Sequence, residues 1–179
     1  MKKVIILIIL PIFLFLGCTT DNIEPSNKVT DNKNVNVQQN NIKNQKYSFG
    51  PMADLSKIDD QTKKELQVFL NKLGDVPKDK ITFNIMKAEF HEDGSLVIDL
   101  FVRNGHPYTI FDIDAKLEVI QEGKTAASAN FNFVKEEFGE LPANTSRPWS
   151  ILYFPEDIKD KNINLDKITL KGVDYQYEY

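Results

Sequence analysis

Cysteine is almost missing from this chain: 179 residues contain one, Cys18. A single thiol excludes a disulfide framework and any site built from several thiolates. Histidine is nearly as scarce. His91 and His106 fall in or beside turn-forming stretches and lack the helical spacing of a metal-binding pair. No Ser-His-Asp pattern, phosphate-cradling glycine loop or HExxH helix is present, so no catalytic residue, metal ligand or cofactor is assigned and the chain is expected not to be an enzyme. An excess of one charge is also lacking: 22 Lys and Arg stand against 26 Asp and Glu, for a formal charge of -4 at pH 7. Nucleic acid requires a concentrated basic surface, which this interspersed distribution does not supply. Long apolar runs are absent too, with one exception.

The exception is Val4 to Leu16, preceded by Lys2 and Lys3 and followed by Gly17-Cys18. Crossing a bilayer takes ~20 apolar residues. A charged start, a shorter apolar stretch and a small residue before the cut instead make a secretion signal. The junction resembles the bacterial lipobox. That resemblance implies that diacylglycerol is attached to the Cys18 thiol, that a peptidase removes residues 1–17, and that Cys18 becomes the first residue of the mature protein. It implies a lipid anchor at the extracytoplasmic face of the cell membrane, with no thiol left for a disulfide-linked oligomer. Two acyl chains anchor stably where one binds reversibly, each buried methylene contributing ~0.8 kcal/mol. The mature chain would have 162 residues and a formal charge of -6, because Lys2 and Lys3 leave with the signal.

From Thr19 to about Gln45 the large apolar residues are few: Ile23, Val29, Val35, Val37 and Ile42 are scattered among Asn, Asp, Lys, Gln, Ser and Thr. Such a composition cannot bury enough surface to offset the entropy of ordering. Residues 18–50 are therefore read as the lipidated cysteine and a disordered tether. About 30 such residues have a root-mean-square reach of roughly 30 Å.

Within residues 51–76, Leu66, Phe69, Leu70 and Leu73 fall at helical spacing, and Gly74 stands where a C-terminal cap belongs. Asp59 or Asp60 can cap the start. This predicts an amphipathic helix over about Asp59 to Leu73, its apolar stripe packed on the domain that comes after it in the chain. Beyond Val76-Pro77 the period falls to two. Ile81, Phe83 and Ile85 alternate with polar residues, as do Leu96, Ile98, Leu100 and Val102, then Phe111, Ile113, Ala115, Leu117 and Val119. Glu92-Asp93-Gly94-Ser95, Asn104-Gly105 and Gln121-Glu122-Gly123-Lys124 are turns, the second by left-handed backbone angles. Further strands carry Ala127, Ala129, Phe131 and Phe133, then Trp149, Ile151 and Tyr153, and finally Ile168 and Leu170. Six strands with short hairpins predict a mainly β fold, an immunoglobulin-like antiparallel β-sandwich over residues 77–179. Asp112, Asp114 and Glu118, with Lys116 among them, read as a solvated sheet face rather than a calcium site.

Five short motifs succeed one another in this region: Glu92-Asp93-Gly94-Ser95-Leu96-Val97-Ile98, Phe101-Val102-Arg103-Asn104-Gly105, Phe138-Gly139-Glu140-Leu141-Pro142, Arg147-Pro148-Trp149-Ser150 and Phe154-Pro155. In this order, from Ile81 to about Leu170, they resemble the SLAP domain, named for S-layer assembly proteins associated with accessory Sec secretion in Gram-positive bacteria. The resemblance implies a role in envelope assembly and supplies no catalytic residue. Arg103, Arg147 and Trp149 are the candidate partner-binding residues; the competing reading stacks an arginine on Trp149 or pairs it with Asp99, Asp112 or Asp114. The expected function is that of a non-catalytic surface lipoprotein whose sandwich binds another envelope or secreted protein through strand edges and hairpin loops. The alternative is a lipoprotein that binds a small ligand or cell-wall glycan.

Overall fold

A computed structural model describes residues 45–179. The signal, Cys18 and nearly all of the tether expected over residues 18–50 lie outside the described residues. The chain enters at β1 (Lys46–Tyr47) and passes through a 3-10 turn (Leu55–Lys57) into α1 (Asp60–Lys72). Then come β2 (Ile81–Phe90), β3 (Leu96–Asn104), β4 (Phe111–Gln121), β5 (Lys124–Phe133), the short helix α2 (Lys135–Phe138), β6 (Thr145–Tyr153) and β7 (Thr169–Glu178).

These strands form two sheets, ordered β1-β6-β3-β2 and β5-β4-β7. All pairings are antiparallel except that β1 runs parallel to β6. The consecutive strands β3 and β4 lie in different sheets, β6 returns beside β3, and β7 returns beside β4. That is the Greek-key crossing of an immunoglobulin-like sandwich. Two features differ from the sequence expectation. β1 falls in the stretch assigned to the tether, because its two residues gain their ladder from the distant β6, which local composition cannot signal. The last strand begins after Ile168 and runs to Glu178.

Alternation places one face of each strand in a common core. Leu96, Ile98, Leu100 and Val102 of β3 and Ile113, Ala115, Leu117 and Val119 of β4 are all buried there. Fully burying each large aliphatic side chain contributes about 1.5–3 kcal/mol. Aromatic rings join the sheets: Phe131 meets Tyr153 edge-on at 5.1 Å and Phe83 lies 6.0 Å from Phe133. The Tyr153 hydroxyl donates to Leu117 O at 3.2 Å, and burial raises its pKa. A bulge in β2 keeps the pattern in phase. Ile85 pairs with Leu100 and Ala88 with Ile98, so the extra residue lets both apolar side chains keep one face.

On the outer face of the first sheet lies α1. Asp59 caps it, accepting from Thr62 N at 2.7 Å, and these hydrogen bonds hold its carboxyl below the usual range. Leu70 is fully buried, and Phe69 stacks on Phe101 of β3 with centroids 6.3 Å apart. The segment at β1 ties the helix down: Gln67 Nε2 donates to Gln45 O at 2.9 Å, and the Tyr47 hydroxyl to Lys63 O at 3.2 Å.

Candidate functional site

Arg103, Arg147 and Trp149 are interior residues, only 2%, 4% and 8% exposed. Arg103 points from β3 to the end of α1, where it donates to Gly74 O at 2.6 Å, a cation at the negative end of a helix dipole. Arg147 donates from Nε to Ser48 O (3.3 Å), from Nη2 to Ser48 Oγ (2.8 Å) and from Nη1 to Phe138 O, with its guanidinium 5.0 Å from the Phe138 ring centre. Phe138 in turn meets Trp149 edge-on at 5.2 Å. Burial lowers the pKa of both arginines, yet a guanidinium stays charged. None of the three presents its side chain to a partner. Each joins segments that the chain order keeps apart, and neither arginine pairs with Asp99, Asp112 or Asp114 or stacks on Trp149.

The remaining motif residues converge on the same interior. Asn104 Nδ2 donates to Tyr108 O (2.9 Å), Leu141 O (3.0 Å) and Pro142 O (3.2 Å), while its Oδ1 accepts from His106 N at 2.9 Å. Gly105 is not in the left-handed region, contrary to the turn chemistry expected of Asn-Gly. Its lack of a side chain admits backbone instead: a Cβ there would lie 2.0 Å from Pro77 O. Gly139 does have a positive φ of 80°.

On the surface, the carboxylates are engaged with neighbours. Asp112 accepts from Lys135 N at 2.7 Å, Asp114 from Asn132 Nδ2, and Glu118 from Thr125 Oγ1 at 3.3 Å. Among the described residues, no cluster of His, Cys, Asp or Glu is arranged to hold a metal ion, and no helix is long and apolar enough to cross a membrane. An open depression of about 580 Å³ lies at the hairpin tip Glu89–Asp93, and another of about 230 Å³ lies on the outer face of the second sheet beside Asp114, Lys116 and Asp174.

The sheet edges differ in kind. β2 carries its bulge beside Lys87 and Glu89. β7 carries a bulge between Gly172 and Asp174 and bears Lys171, Asp174 and Glu178. β5 is partly covered, with Ala127 bridged to Ile158 and Ala126 O accepting from Lys159 N. Bulges, charges and cover are the usual guards of an edge. β6 has its outer side paired by β1 only at Thr145 and Ser146. Ser146 O accepts from Ser48 N at 3.0 Å, so strand alternation turns the backbone groups of Pro148, Ser150 and Leu152 to that same side. Among the described residues, no strand pairs with them. The stretch Pro148-Trp149-Ser150-Ile151-Leu152-Tyr153 contains no charge and no bulge. Pro148 fits this edge, having no N–H to leave unpaired.

A second surface is one that the sequence reading does not find: the aromatic cluster of His106, Tyr108, Tyr177 and Tyr179. The spacing of Tyr175, Tyr177 and Tyr179 by two is its available signal, since it puts the three on one face of β7 and its continuation. The β3–β4 connection brings up the other half, with His106 stacked on Tyr108 at 5.0 Å and 5.1 Å from Tyr177. The Tyr108 and Tyr177 hydroxyls lie 3.3 Å apart. That hydrogen bond first, then burial and the neighbouring tyrosines, push the Tyr177 pKa up to about 12.

A protein-family model described as the SLAP domain matches residues 48–172. The matched span thus takes in α1 as well as the sandwich as far as Gly172 in β7, whereas the change of period alone starts the domain at residue 77. No curated protein and no solved structure matches the chain.

Proposed function

The chain belongs to the SLAP domain family, and from that premise we propose that it is a non-catalytic surface lipoprotein, held through Cys18 at the extracytoplasmic face of the membrane, whose sandwich binds another envelope or secreted protein. The family is linked to surface-layer and secretion-associated proteins. The edge of β6, unpaired beyond Ser146 among the described residues, carries the reading. An extended segment of a partner would add to the sheet beyond β1, accepting from Ser150 N and Leu152 N and donating to the carbonyls of Pro148, Ser150 and Leu152. Main-chain bonds of this kind supply affinity, and the alternating side chains supply selectivity. The protein's own β1 already uses one end of this edge. Lipid gives location, the tether gives reach, and the edge gives contact.

Photocrosslinking on intact cells tests this. With p-benzoylphenylalanine in place of Leu152, a polypeptide adduct is expected; with the same group in place of Lys116, on the other sheet's outer face, none is expected. Equal adducts from both positions, or recovery of glycan alone, would sink the reading.

A further inference from the structure

The cluster around His106 follows the end of β3 that pairs with the start of β6, at Ser146, whereas Ser150 and Leu152 pair with Asp99 and Val97 toward the other end of β3. The cluster has its own chemistry. Tyr179 is 81% exposed and Tyr108 36%, whereas His106, stacked on Tyr108, is 7% exposed and its Nε2 has no hydrogen-bond partner among the described residues. A buried polar atom left unsatisfied forfeits its hydration without a return, which marks this end as something other than optimised core. The loop that presents it is rigidly made, since Asn104 bonds both His106 N and Tyr108 O. Tyr108 and Tyr179 are 4.9 Å apart with planes inclined at 36°, and Tyr177 and Tyr179 are 6.4 Å apart at 56°. Rings this close leave no gap for a caged ammonium group; they offer one continuous, stepped surface with hydroxyl tips.

We propose that Tyr108, Tyr177 and Tyr179 form a binding platform for a neutral polysaccharide. A pyranose ring has an apolar C–H face, weakly positive, which complements the negative face of an aromatic ring, and an equatorial rim of hydroxyls for the phenol groups. Electrostatics favour a neutral occupant: the platform is made of tyrosine rings, uncharged near neutral pH, and strand alternation turns Glu178 to the opposite face of β7. The inclination between rings suits a single twisted glycan chain better than a flat sheet of chains. This surface is separate from the protein-binding role and would let the domain hold the cell wall while the β6 edge holds a polypeptide.

The test uses the full-length chain in detergent micelles and a panel of neutral hexasaccharides: β-1,4-linked glucose, mannose and N-acetylglucosamine, and α-1,4-linked glucose. Saturable binding of at least one, followed by tyrosine fluorescence, is expected in the wild type. Replacing both Tyr108→Ala and Tyr179→Ala should weaken it about tenfold or more, as removal of two stacking rings predicts, with the circular dichroism unchanged. Tyr179→Phe, which keeps the ring and loses one hydroxyl, should weaken binding far less than the double alanine change. No saturable binding to any member, or equal binding by the double variant, overturns the proposal; so does preference for a choline ion or for the charged de-N-acetylated hexamer. Crosslinking from position 152 is unaffected by the tyrosine changes, so the two readings fail separately.

Discussion

Gly139 shows how one residue can join two distant motifs. Its φ is 80°, and a Cβ there would lie 2.8 Å from Pro51 Cδ and 3.0 Å from Arg147 Nη1. Gly139→Ala therefore meets a left-handed backbone and a filled space together, with an expected loss of roughly 2–4 kcal/mol. Urea unfolding measures it, and a loss below about 0.5 kcal/mol would mean that the loop moves aside without harm. Tyr108 supplies a titration test. Its hydrogen bond is the first cause of the raised Tyr177 pKa, so in Tyr108→Phe the Tyr177 midpoint should fall from about 12 toward the ordinary value near 10. The raised pKa favours the folded state below pH ~10, and that contribution is lost as pH rises through the folded midpoint. Absorbance near 295 nm follows the change. Because buried Tyr153 also titrates late in both proteins, the comparison is of amplitudes, and a late-titrating component as large in the variant as in the wild type would count against the assignment.

Among the elements, β2, β3 and β6 share a polar row on their outer face: Lys87 pairs with Asp99, and Asp99 with Ser150. The Ser150 hydroxyl donates to Asp99 Oδ1 at 2.5 Å. Burial nevertheless prevails and raises the Asp99 pKa above the usual carboxylate value, with Ser150 and Lys87 only partly offsetting it. A raised acid binds its proton more readily in the folded state, so this group's contribution to stability falls as pH rises from ~3.9 through the folded pKa. Asp99→Asn keeps an acceptor for Ser150 and removes the buried charge. The variant should melt higher than the wild type near neutral pH, and the difference should vanish toward pH 3. Thermal unfolding across that range decides it, a pH-independent difference being the contrary result. The same row explains why β6 was legible as a strand but not as an open edge: alternation tells which side chains face in, while the neighbour of a backbone group depends on which other strand arrives.

For the whole molecule, the proposed function joins a lipid anchor to a folded binding module, so that the module would act through where it is held. Palmitate labelling of cells should mark the wild type and leave Cys18→Ala unlabelled; equal labelling in both would refute the anchor. Local physics made much of the fold readable. The period-two runs of β3 and β4 located the core face, and Asp59 and Gly74 bounded the helix, because each of these signals acts within a few residues. The other face of β3 was not legible, since Phe101 and Arg103 are buried by α1, which arrives from elsewhere in the chain. The Phe-Gly-x-Leu-Pro and Arg-Pro-Trp motifs were visible as words without a meaning, since Arg147, Phe138 and Ser48 are neighbours only after folding. For the same reason Arg103 looked available for a partner until α1 closed over it. The sequence by itself determined the phase of the core-facing strand residues and the helix limits, both properties of spacing and composition. The tertiary structure alone decided that the motif arginines turn inward, that β6 is unpaired beyond Ser146 among the described residues and that Tyr177 meets His106, because those outcomes depend on contacts between segments far apart in the chain.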